Sequence, residues 1–170
     1  YNDMKNHLIA FVSDQETAGI QRPVVAKLAL TKALRLAQIV TGFCKTEMGN
    51  EINFEKVPRL EELETLLQQV TKEKHSVIVW CSFKNNYTQV GKVCKKLKLD
   101  HVFLTGAMNA GEKQKAIDRF NQGEVPVIIA NRQAGGVGIN LTKASYSIVY
   151  SRDFSLGNEL QSEARNYRGG

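Results

Sequence analysis

Two groups of residues in this chain have the types and spacing to act on a phosphate. The first is the run Asn131-Arg132-Gln133-Ala134-Gly135-Gly136-Val137-Gly138-Ile139-Asn140-Leu141-Thr142, which follows an apolar stretch ending at Ile129. Closely spaced glycines let backbone N–H groups approach a phosphate or a sugar with no Cβ in the way. A plain glycine turn accounts for the same residues equally well. A dinucleotide fingerprint would run from its glycines straight into a helix, whereas this loop passes through Lys143-Ala144 towards another strand, so dinucleotide binding is disfavoured. The second group is Gln161, Arg165 and Arg168, at i, i+4 and i+7 in a helix-compatible stretch beginning near Leu156. At about 100° per residue the three project from nearly one face, and two guanidiniums there could clamp a polyphosphate. A solvated basic helix face is the plainer reading of those residues.

Other chemistries find no footing. There is no Gly-Lys-Ser/Thr; the nearest approach, Lys45-Thr46, follows Cys44 with a single glycine close upstream, so a Walker A loop is missing. Asp153 follows an expected strand but has no neighbouring carboxylate with which to hold Mg²⁺. No Ser-His-Asp or His-Glu-x-x-His arrangement occurs. Cys44, Cys81 and Cys94 are odd in number and too far apart for a metal pair or a disulfide framework, which favours a reducing, intracellular compartment, with Cys81 and Cys94 as small buried hydrophobes. His7, His75 and His101 are scattered, and no metal site is assigned. A complete nucleotide hydrolase cannot be assembled from these residues alone.

The elements that position the two groups follow from hydrophobic period. The chain has 170 residues, 42% hydrophobic and 24% charged, which suits one globular core and argues against disorder. With 23 Lys+Arg against 17 Asp+Glu its net charge is +6, compatible with a polyanionic partner but also with an ordinary solvated surface. The longest apolar runs fall far short of the roughly 20 residues that cross a bilayer. The start, Tyr1-Asn2-Asp3-Met4, has neither an initiator Met nor a signal-peptide layout and reads as a cut within a longer protein.

The first 45 or so residues read as helical, with Val24, Val25, Leu28, Leu34, Leu36, Ile39 and Val40 at mixed helical spacings and Gly42 as a stop. Residues 46–57 read as a loop. From Pro58, Leu60, Leu63, Leu66, Leu67 and Val70 define the apolar face of a helix that ends in the polar run Thr71 to Lys74. Beyond it, strands are expected at Ser76 to Cys81, His101 to Leu104, Val125 to Ile129 and Tyr146 to Tyr150. Helices are expected at Tyr87 to Leu97 and Glu112 to Phe120. Alternating strands and helices imply right-handed crossovers and an α/β fold with a mostly parallel sheet flanked by helices.

Ser76 to Phe83, Leu104-Thr105-Gly106, Lys113 through Asn121, Ala134 through Thr142, Tyr150 through Phe154 and the Gln161/Arg165/Arg168 face occur in one order along the chain. In that order they resemble helicase motifs IV to VI of the Swi/Snf-type branch of superfamily-two helicases, in wording similar to bacterial and phage members. The resemblance implies an α/β RecA-like second lobe over residues 58–170, preceded by a helical inter-lobe segment and linker over 1–57. It departs from the family at Asn131-Arg132, where Ser or Thr is usual, at Phe154-Ser155-Leu156 in place of Trp-Asn-Pro, and at Gly169-Gly170 in place of Ile-Gly-Gln.

As implied by that resemblance, a first lobe of the same polypeptide, outside this chain, holds ATP and Mg²⁺, and the present lobe closes on the nucleotide. Arg168 is then the arginine finger, Arg165 its companion, and Gln161 the coupling residue. Gly136, Gly138 and Asn140 approach the nucleotide. Ser82, Phe83, Lys84, Gly106, Lys113, Arg132 and Gln133 contact the backbone of double-stranded DNA. The expected function is that of an ATP-dependent double-stranded DNA translocase, with the fragment inactive alone. Two alternatives are the C-terminal lobe of an RNA helicase, whose His-Arg-x-Gly-Arg-x-x-Arg hallmark reads Gln161-Ser162-Glu163-Ala164-Arg165-Asn166-Tyr167-Arg168 here, and a non-enzymatic α/β module that binds nucleic acid or protein.

Overall fold

The computed structural model describes residues 22–46, 49–131, 134 and 140–152, with side chains from residue 31 onward. The chain divides into two compact units, Tyr1–Val57 and Pro58–Gly170.

In the first unit, helix α1 (Arg22–Val40) is followed by an antiparallel hairpin of β1 (Phe43–Lys45) and β2 (Glu51–Asn53), with Phe43 opposite Asn53 and Lys45 opposite Glu51. Gly42 stops the helix as expected, at φ 95°, a left-handed conformation that glycine adopts at no steric cost. The hairpin corrects the expectation of helix up to residue 45 and loop from 46 to 57. Its strands are three residues each, too short to give an alternating pattern. They are held by local bonds: Thr46 N donates to Asn50 O at 2.9 Å, and Lys45 Nζ lies 3.2 Å from Glu51 Oε1.

The second unit runs α2 (Pro58–Lys72), β3 (Val77–Trp80), α3 (Lys84–Lys96), β4 (His101–Leu104), α4 (Ala110–Asn121), β5 (Val127–Ala130) and β6 (Tyr146–Val149). The four strands form one parallel sheet in the order β4-β5-β3-β6, in register from Val77 opposite Val127 and Tyr146 to Val127 opposite His101. β3 and β5 are buried at every position, which is why they read as unbroken apolar runs rather than alternating ones. Their side chains divide between two cores. Val77, Val79, Cys81, Val127 and Ile129 meet Leu63, Leu67 and Val70 of α2 and Val90, Val93 and Cys94 of α3. Ile78, Trp80, Ile128 and Ala130 meet Ala116, Ile117 and Phe120 of α4, with Leu141. The helices lie on opposite faces because the chain leaves β3 in one direction along the sheet and leaves β4 in the other, and right-handed crossovers then demand opposite sides.

Boundaries moved for local reasons. Helix α3 starts at Lys84, not Tyr87, because Phe83 supplies an extended N-cap at φ −108° and the polar Asn85 and Asn86 are absorbed into its first turn. Helix α4 starts at Ala110, not Glu112, because Asn109 and Glu112 form a reciprocal capping box, Glu112 N to Asn109 Oδ1 and Asn109 N to Glu112 Oε2, both 2.9 Å. Pro126 cannot donate to a ladder, so β5 begins at Val127, while the Pro126 carbonyl still accepts from Val77 N at 2.8 Å. Leu66, assigned to the buried face of α2, is 37% exposed.

The helix ends at the opposite edge of the sheet differ from one another. In α4 the residue after the cap is Gly123, at φ 78°, and Glu124 N returns to Arg119 O at 3.0 Å. Helices α2 and α3 close with the same bonds, His75 N to Val70 O at 3.3 Å and Leu99 N to Cys94 O at 2.9 Å. There the left-handed position is held by Lys74 (φ 60°) and Lys98 (φ 56°). A side chain in that conformation costs about 1 kcal/mol relative to glycine.

Candidate nucleic-acid and nucleotide site

In open parallel sheets, ligands bind beyond the carboxyl ends of the strands, where neighbouring connections diverge. β3 and β5 are such neighbours, since β3 leads away through α3 and β5 leads across to β6 on the far side of β3. A cleft of about 870 Å³ opens at this edge, lined by Ser82, Lys84, Tyr87, Thr105, Gly106, Ala107, Lys113, Asn131 and Ala134. Backbone bonds splice the strand ends into its floor: Cys81 N to Ala130 O at 2.8 Å, Asn131 N to Leu104 O at 2.9 Å, and Tyr150 N to Trp80 O at 3.0 Å.

The chemistry of the lining suits a phosphate. It offers two lysines and the hydroxyls of Ser82, Thr105 and Tyr87, with no carboxylate among the described lining residues. Lys84 opens α3, whose first turn carries no acid, and Gly106 and Ala107 lead into the start of α4, so two helix N-termini add their partial positive charge. Glu112 is engaged in the capping box.

Of the residues singled out from sequence, Ser82, Lys84, Gly106 and Lys113 come together here, from two separate strand-to-helix connections. Phe83 stands beside them as the N-cap of α3. Asn140 does not line the cleft: its side chain is exposed, and its carbonyl accepts from Asn121 Nδ2 at 2.9 Å, at the last residue of α4. Arg132, Gln133, Gly136, Gly138, Gln161, Arg165 and Arg168 lie outside the described residues. Among the described residues no group of three or more His, Cys, Asp or Glu could hold a metal, and no helix is long and apolar enough to cross a membrane.

Sequence reasoning missed Tyr87, Thr105 and Ser151. Tyr87 is one helical turn from Lys84, and that i, i+3 spacing was the available signal. Its phenol is raised above the ordinary range chiefly by burial, against the opposing effect of a hydrogen bond shared with Asn131, the first residue of the glycine loop. Ser151, 1% exposed, accepts at Oγ from Ser82 N at 2.7 Å, while Ser82 Oγ donates to Ser151 O at 3.0 Å. Arg59 Nη1 donates to Tyr150 O at 2.8 Å. These bonds fix the segment leading out of β6 against the cleft wall. Cys81 and Cys94 are buried as expected. Burial pushes Cys94 up to about 12 and Cys81 higher still, so neither supplies a thiolate at neutral pH.

Residues 58–170 match the family model described as the helicase conserved C-terminal domain. The chain belongs to this family. It is 34% identical over 114 residues to the DNA repair and recombination protein RAD54 of Saccharomyces cerevisiae, covering 64% of this chain and 12% of that protein. It is 28% identical over 158 residues to an uncharacterized ATP-dependent helicase, MG018, of Mycoplasma genitalium, covering 91% and 15%. The chain thus spans less than a fifth of either relative. Among solved structures, the Sulfolobus solfataricus SWI2/SNF2 ATPase core domain matches with a TM-score of 0.71 at 19% identity, over 98% of this chain and 35% of that one. The resemblance drawn from the motifs therefore holds at the level of the family, a helicase C-terminal domain, and the α/β RecA-like fold it implied is the one this chain shares with the SWI2/SNF2 ATPase structures.

Proposed function

We propose that this lobe is the second half of an ATP-dependent, intracellular double-stranded DNA translocase, gripping one strand's phosphates in the cleft and supplying cationic groups to ATP held by a first lobe of the same polypeptide. The observation that carries the reading is the cleft with no carboxylate among its described lining residues and with Lys84 and Lys113 at the starts of two helices. Point charges and helix dipoles of this kind recognise phosphate without reading bases, so binding is independent of sequence and weakens with salt. Phe83, Arg132 and Gln133 extend the same strand contact.

In the nucleotide half of the reading, Arg168 is the finger that meets charge developing on the transferred phosphoryl group, a contribution worth about 10³–10⁵ in rate. Arg165 is its companion, and Gln161 links the nucleotide to the first lobe. Gly136 and Gly138 let the backbone approach the ribose. Asn140 stays in the same set, since the bond from Asn121 Nδ2 engages its carbonyl and leaves its exposed side chain available. Mg²⁺, held by the first lobe, would neutralise the phosphates. Lobe closure on ATP then shifts the strand contact at Ser82, which is bonded to Ser151 on the segment leading towards the arginines. In this scheme residues 1–57 are the inter-lobe segment.

The test is the affinity of the chain for a short blunt DNA duplex of arbitrary sequence, measured by fluorescence anisotropy across a salt series. Replacing both Lys84 and Lys113 by Ala is expected to weaken binding about tenfold near 0.1 M salt and to reduce the salt slope by about 2. Unchanged affinity, or binding confined to double-stranded RNA, would contradict the reading.

A further inference from the structure

The edge of the sheet opposite the cleft carries a second row of cations. Lys98, Lys74 and Lys143 each stand three residues before the first residue of their strand, His101, Val77 and Tyr146. Those first residues are in register through Val127, so the three lysines precede aligned strand starts. The strand after Lys74 neighbours the strand after Lys143 at about 5 Å and is two places, about 10 Å, from the strand after Lys98. All three lysines are exposed, as are Lys72 and Lys95 beside them, and none of the five has an ion-pair partner among the described residues. The acids at this edge are Glu73, 3.6 Å from His75, Glu124, 3.0 Å from Arg119, and Asp100.

Helix dipoles alone do not account for the row. Lys72, Lys95, Lys96 and Arg119 already supply cations to the last turns of the three helices. Lys74 and Lys98 go further, occupying left-handed positions where α4 uses Gly123. At that glycine the same charge arrives from elsewhere, for the Lys143 side chain comes within 3.5 Å of the place a Cβ would take. Each of the three helix ends therefore presents a lysine at its terminal turn, twice against backbone preference and once from a separate loop.

We propose that this edge is a second phosphate-backbone site, which takes a further segment of duplex DNA at the end of the lobe away from the cleft. Spaced ammonium groups at an edge fit the repeating charge of a phosphodiester chain, which they attract without reading its sequence. The four strand residues between the two edges span roughly 13 Å, so the two sites face different stretches of nucleic acid. The inference rests on the duplex reading of the cleft but uses none of its residues.

The experiment replaces Lys74 and Lys98 by Gly and Lys143 by Ala together, and measures duplex affinity and salt slope of the 170-residue chain beside the Lys84→Ala/Lys113→Ala variant. Glycine suits the left-handed positions, so the triple variant is expected to melt at or above the wild-type temperature while its affinity falls about tenfold and its salt slope by about 2–3. Losses in the triple and cleft variants should add, and wild type should bind two duplexes where the triple variant binds one. Unchanged affinity and slope in a folded triple variant would overturn the second site. So would loss of poly-glutamate binding with duplex binding intact, which would assign the edge to an acidic protein segment. A cleft variant that binds normally beside a weakened triple variant would instead remove the cleft reading and keep this one.

Discussion

The two ends of the parallel sheet carry the same kind of charge on different supports. At the cleft end, Lys84 and Lys113 belong to helix starts, where the backbone itself is positive, and strand ends are tied together by Cys81, Asn131, Tyr150 and the Ser82–Ser151 pair. At the other end, Lys74 and Lys98 sit on helix termini that are negative, in backbone conformations that lysine disfavours. A cation at the first end adds to an existing attraction for phosphate. At the second it offsets a local negative potential before it can attract anything, so more lysines are needed for the same field. Cation count alone therefore does not measure affinity for an anion; the helix polarity beneath each cation matters as much.

The largest expected effect strikes the layer joining the two ends. The thiols of Cys81 and Cys94 are raised by burial, so the folded protein keeps protons that the unfolded chain gives up near its ordinary 9.0. A raised pKa contributes stability that is present below the unfolded value and is lost as pH rises towards the folded one. Melting temperature should be level between about pH 6 and 8 and fall above about pH 9, each thiol costing about 1.4 kcal/mol per pH unit. A melting temperature level to about pH 11 would show the thiols to be solvated.

A smaller effect breaks the cleft end alone. Ser151→Ala removes the acceptor of Ser82 N and should cost about 1–3 kcal/mol, read as a melting point several degrees lower. Duplex affinity at the lysine edge should be unchanged. The smallest effect has the opposite sign: the two Lys→Gly changes at the far end should each add up to about 1 kcal/mol, widening the gap between a strained and an unstrained support.

Much of this could be read in advance, for reasons that lie in particular residues. Val77 to Trp80 and Val127 to Ala130 are buried on both faces, and a short apolar run without alternation, bounded by polar residues, is the mark that such burial leaves in a sequence. The capping box at Asn109 and Glu112 was overlooked although the pair stands three residues apart, so the helix was begun two residues late, at Glu112. The hairpin at 43–53 was not visible, because three-residue strands show no period. Nor did spacing show that Ser82 and Ser151, 69 residues apart, share two hydrogen bonds, because only the register of β3 with β6 brings them together. The row of lysines at the far edge was hidden similarly, since three positions 74, 98 and 143 become one line only when the strands align.

The most direct measurement is steady-state ATP hydrolysis by the polypeptide containing both lobes, with and without duplex DNA, for wild type and Arg168→Ala. The account predicts duplex-stimulated turnover in wild type and a loss of about 10³-fold or more in the variant, with duplex affinity retained. Full turnover in Arg168→Ala, or stimulation by RNA alone, would contradict it.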